Sequence, residues 1–215
     1  GDVTAARDSY QKALALDPQH EDVLYYLGNM ELELGNYRAA EVAWRHLVKV
    51  NPASARAHSR LGDLYACPDS GAPWDLARAA AEVDTAAALN REETGPLLKL
   101  GEVALLRGDL AAARAQFDAV IATQPRNVEA HYLDGYVTWK RGDRAAAARQ
   151  YQAARDLAHT PPTIQAAPSE GDTKHGTTPL VARSTRCHIF GEELEPYPQL
   201  DRRLQQIASL HEAIR

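Results

Sequence analysis

Residues 19–52 read QHEDVLYYLGNMELELGNYRAAEVAWRHLVKVNP, and this stretch decides the fold. Two helix-length segments meet at Gly35-Asn36, and Pro52 closes the second. In the second segment Ala40, Trp44 and Leu47 fall on one stripe at the spacing of an α-helix, so that helix has one face to bury. Gly35 supplies the positive φ that a tight turn between two helices requires. Pro52 lacks an amide proton and stops the helix.

The same series returns downstream. Leu100-Gly101, Gly108-Asp109-Leu110, Ala113, Phe117, Val120 and Pro125 repeat it, and Gly135, Gly142-Asp143-Arg144, Ala147, Tyr151 and Ala154 repeat it again. Ala6, Tyr10, Ala13 and Pro18 give the second half of a unit whose first half is absent from this chain. The step from Pro18 to Pro52 is a period of roughly 34 residues. Self-similarity at that period marks units that bury their apolar faces against one another. Helices are predicted over 3–16, 21–34, 37–50, 55–67, 75–89, 94–107, 110–123, 128–141 and 144–158.

In its period and in these positions the chain resembles the tetratricopeptide repeat family from Gly1 to His159. The resemblance implies an all-α, right-handed solenoid of helix-turn-helix repeats, here a half repeat plus four full repeats over 1–159. One unit departs from the pattern. From Leu61-Gly62 to Leu100-Gly101 the period is roughly five residues too long. The excess lies in Cys67-Pro-Asp-Ser-Gly-Ala-Pro-Trp74, which reads as a rigid exposed loop. The chain also opens where the family places the turn inside a unit, which implies that the natural protein continues upstream.

From Thr160 the texture changes. Residues 160–198 are rich in proline and glycine and read as a linker, with a short apolar docking segment near 186–190. Residues 199–215 place Leu200, Leu204, Ile207, Leu210 and Ile214 on one stripe, an amphipathic helix in need of a partner. A spacer of some 35 residues at about 3.3 Å each reaches on the order of 100 Å, enough to cross the repeats. The terminal helix, the segment around Cys187–Phe190, or both are therefore expected to return and cover apolar surface on the repeats, the groove being one place they could occupy. Pairing of that helix with a second chain, giving a homodimer, is the other arrangement.

Composition sets outer bounds. The 215 residues are 45% hydrophobic and 25% charged, enough for a sizeable core, and the net charge of −5 gives no pull toward nucleic acid or anionic lipid. No apolar run is long enough to insert into a membrane. Cys67 and Cys187 are too few for a disulfide framework and have no zinc spacing, so Cys187 reads as a thiol in a docking segment. Cytoplasmic location is preferred, with the periplasm as the alternative if the chain is a fragment.

No catalytic set announces itself. The eight histidines lack metal-ligand spacing, and no glycine-rich phosphate loop is present, so no catalytic residue, metal or cofactor is expected. His58 and His131 occupy corresponding places in their units and read as packing residues.

Recognition is better supported. The resemblance implies that the first helix of each pair lines a concave groove holding a partner peptide or helix. Residues assigned to it are Tyr25, Asn29, Arg56, Arg60, Lys99, Glu102, Tyr132, Tyr136 and Trp139. The last three stand at i, i+4 and i+7, on one helix face, and tyrosine and tryptophan serve well as anchors because they offer large area at little rotamer cost. Some relatives grip a C-terminal carboxylate with a Lys/Asn/Arg clamp. Asn29 and Lys99 match two of its positions, but Tyr25 and Gly95 replace two lysines and Arg60 an asparagine, so that ligand is not expected. The function implied is a non-catalytic scaffold or adaptor for a protein or peptide partner. The alternative is the substrate-presenting half of a larger enzyme, such as a glycosyltransferase, hydroxylase or protease.

Overall fold

The structure, a computed structural model, describes residues 3–159, 187 and 194–212. Most of the linker and of the docking segment near 186–190, together with Ile214, lies outside the described residues. Helices α1 (Val3–Leu16), α2 (Glu21–Glu33), α3 (Tyr37–Val50), α4 (Ala55–Tyr65), α5 (Leu76–Leu89), α6 (Gly95–Leu106), α7 (Leu110–Thr123), α8 (Val128–Lys140) and α9 (Arg144–His159) follow in order. A last helix, α10, spans Tyr197–Glu212. The first nine pack in chain order, each on the next, as a stack of helical hairpins.

Within each hairpin the second helix supplies the core stripe. Ala40, Trp44 and Leu47 are fully buried, as are Ala113, Phe117 and Val120. The turn glycines Gly35, Gly108 and Gly142 sit at φ 77°, 75° and 94°, the left-handed region that a Cβ disfavours. Asp75, Asp109 and Asn127 cap α5, α7 and α8, their side-chain oxygens accepting from backbone amides of the first turn.

The long turn between α4 and α5 corrects one expectation. Only Ser70 and Gly71 are exposed, and the rest of Cys67–Trp74 is buried or half-buried. Tyr37 donates to Asp69 at 2.7 Å and holds the turn onto the preceding unit. A second correction concerns Cys187, which is no free thiol: it is bonded to Cys67, 120 residues away in sequence.

Candidate recognition surface

The first helices α2, α4 and α6 are joined by polar contacts, and α6 meets α8 through apolar side chains. From α2 to α4, Arg56 pairs with Asp22 at 2.5 Å, and its guanidinium lies 4.8 Å over the Tyr25 ring. Arg60 donates to the Tyr25 hydroxyl at 3.4 Å and pairs with Asp63 at 3.5 Å. Asn29, on the same wall, has a buried Oδ1 with no hydrogen-bond partner among the described residues. From α4 to α6, Lys99 reaches Asp63 at 3.4 Å and Glu102 at 2.5 Å. Burial pulls the Lys99 ammonium down, but the carboxylates of Glu102 and Asp63 outweigh it and hold the group above its ordinary range.

At the other end of the wall, Tyr132, Tyr136 and Trp139 on α8 surround a residue from far along the chain. The Tyr197 ring lies 5.5, 6.1 and 6.4 Å from theirs, and 5.3 Å from the ring of Tyr151 on α9. The hydroxyls of this cage seize the chain around α10. Tyr132 donates to the Glu195 carbonyl at 2.8 Å and Tyr151 to the Leu194 carbonyl at 2.7 Å. Tyr136 and Lys140 both donate to Asp201 Oδ1 at 2.7 Å.

These contacts set the protonation of the site. Burial, then the hydrogen bond and charge of Asp201, push the Tyr136 phenol up, so it stays a neutral donor. Burial does the same for Tyr132 and Tyr197. For Asp201 burial raises the pKa, but the hydrogen bonds from Lys140 and Tyr136 prevail and hold it below the usual carboxylate range. Tyr197, Leu200 and Leu204 enter one apolar cluster with Leu105 of α6, Phe117 of α7 and Tyr132, Leu133, Tyr136 and Val137 of α8. Ile207 packs at its edge.

The far end of α10 meets the long turn. His211 stacks on Trp74 with ring centroids 4.0 Å apart and planes 3° from parallel, and its ring is hydrogen-bonded to the Pro68 backbone. The disulfide Cys67–Cys187 sits in the same turn, with both cysteines buried. Cys67, Asp69 and Cys187 are also the one group of potential metal ligands close enough to share an ion among the described residues, and the bond between the two sulfurs removes two of the three donors.

The assigned residues thus divide. Tyr132 and Tyr136 are 2% and 3% exposed and covered by the chain's own C-terminal segment, with Trp139 half-buried beside them. Lys99 pairs with both Glu102 and Asp63. Tyr25, Arg56 and Arg60 remain partly accessible. His58 and His131 play the same structural role, since their Nε2 atoms bond the carbonyls of Pro52 and Pro125, the prolines that close the preceding units, at 3.1 and 2.8 Å. The periodic reading passed over Tyr197, Trp74 and His211. Tyr197 stands before the predicted helix start, and the other two have no place in the repeat pattern.

Comparison with known proteins gives the class. Tetratricopeptide repeat models match residues 1–65 and 98–160, on either side of the unit with the long turn. The chain belongs to the tetratricopeptide repeat family. Among solved structures, MamA is 25% identical with a TM-score of 0.65, over 74% of this chain and 90% of MamA. PilW, a type IV pilus biogenesis factor, is 20% identical with a TM-score of 0.66, over 74% of this chain and 71% of PilW. YrrB, a repeat protein with an unusual peptide-binding site, is 23% identical with a TM-score of 0.58, over 73% of this chain and 78% of YrrB. A search of curated proteins found no match. Among the described residues no helix is long and apolar enough to cross a membrane.

Proposed function

We propose that this chain is a non-catalytic interaction scaffold whose wall of first helices receives an amphipathic helix, and that its own α10 fills the C-terminal half of that groove. The observation that carries the reading is the cage around Tyr197. Tyr132, Tyr136 and Trp139 are residues of the kind that anchor ligands, and here they grip a helix from outside the repeat series. Tyr136 and Lys140 converge on one carboxylate, which fixes the register of the bound helix. α10 presents Tyr197, Leu200, Leu204 and Ile207 on one face, the i, i+3, i+7, i+10 spacing of a helix laid in a groove. A partner either uses the half left open around Tyr25, Asn29, Arg56 and Arg60 or displaces α10. The YrrB likeness adds only that a relative of the same fold has a peptide-binding site.

The test uses a fluorescent synthetic peptide of residues 194–212 and the full chain. A Y197A/L200A/L204A variant, with its own tail weakened, binds the peptide in trans, and adding Y132A/Y136A/W139A abolishes binding. Failure of the folded tail variant to bind, or binding indifferent to the triple change on α8, overturns the reading.

A further inference from the structure

Both ends of the C-terminal segment are fixed to one place, the long turn between α4 and α5. Cys187 is bonded to Cys67 at the start of that turn, and His211 stacks on Trp74 at its end. Between them the chain reaches Tyr132 and Tyr151 at Glu195 and Leu194, then returns along α10. The turn that lengthens the second full unit is thus the clasp of the tail. Cys187 adds a sign of constraint: its φ of 62° is left-handed, uncommon for a residue with a Cβ.

We propose that the Cys67–Cys187 bond is a redox latch on the groove, an inference that rests on the function proposed above. With the bond formed, the covalent path from the repeats to Leu194 is roughly 7 residues, measured from Cys187. With the bond broken it is roughly 35, measured from His159. Effective concentration falls approximately as the −3/2 power of tether length, so breaking the bond lowers that of α10 about tenfold. The step consumes a dithiol reductant. Its two electrons and two protons cleave the S–S bond to the thiols of Cys67 and Cys187, and the reductant becomes a disulfide. Both sulfurs belong to buried residues, so attack by a thiolate requires the tail to lift. A helix that displaces α10 therefore also makes the bond easier to reduce, and the two events favour each other.

The experiment measures binding of the 194–212 peptide to the full chain purified without reductant, to the same chain after dithiothreitol, and to C187S. The latch predicts about tenfold tighter binding to the reduced chain and to C187S than to the oxidised chain. The Y197A/L200A/L204A variant, oxidised, separates the two claims. If it binds the peptide while reduction and C187S shift the affinity by less than twofold, the latch is overturned and the scaffold reading stands. If it is folded and does not bind, the scaffold reading itself falls. Free thiols at both positions in chain purified without reductant also overturn the latch.

Discussion

Tyr197 lies against Gly135 of α8, where a Cβ would collide with its phenol. In the other units the equivalent glycine is covered from within its own hairpin: Gly28 by Trp44, Gly62 by Val83, Gly101 by Phe117. In the last unit the Tyr197 hydroxyl comes closest to Gly135, with Gln150 of its own hairpin beside it.

A G135A substitution tests this packing with an unusual sign. Gly to Ala inside a helix ordinarily stabilises by about 1 kcal/mol, whereas overpacking a filled site costs about 1–3 kcal/mol. The expected result is faster amide exchange across 197–212 and a lowered melting temperature. G95A, whose Cβ meets nothing, leaves both unchanged or slightly improved.

Removal of the Asp201 charge weakens the register lock. D201N loses the charge-assisted bonds from Tyr136 and Lys140, and exchange protection of α10 is expected to fall by about 1–2 kcal/mol. K140A costs less, because Lys140 is largely at the surface.

How much of this was legible in sequence depends on what set each feature. The hairpins were, because core stripes such as Ala40, Trp44 and Leu47 recur with the helical period, and the helices over 3–16, 37–50 and 110–123 match residue for residue. The tail stripe was legible through Leu200, Leu204 and Ile207, although Leu210 is 48% exposed. The clasp was not. Pairing of Cys67 with Cys187, and stacking of Trp74 on His211, join residues more than a hundred positions apart, and no local period reports such contacts. The prolines and Asp-Ser pair of the long turn read as solvent-facing because turn chemistry says nothing about what later covers it.

Docking of α10 should weaken in acid in two steps. Burial holds the His211 ring below its ordinary range, partly offset by the bond to Pro68, so the released tail takes up protons first. Docking is therefore at full strength above about pH 6.5 and declines as pH falls below it. Asp201, also depressed when docked, adds a second loss below about pH 4. Tryptophan fluorescence of Trp74 across pH 3–8 follows both steps, and H211N flattens the first.

Lys99 and Glu102 form a buried ion pair within the wall of first helices. K99A leaves Glu102, 3% exposed, without its cation and is expected to cost about 3–5 kcal/mol in chemical denaturation. A K99M/E102L double variant, which removes both charges and keeps the volume, recovers most of that loss.

Zero-length carbodiimide cross-linking of the dilute full chain, followed by peptide mapping, asks whether α10 docks on its own repeats. Lys140 Nζ and Asp201 Oδ1 are 2.7 Å apart, within reach of an amide bond. A Lys140–Asp201 link within a monomer is the expected result. Absence of that link, or its appearance only in cross-linked dimers, would contradict occupation of the repeats by their own C-terminal helix.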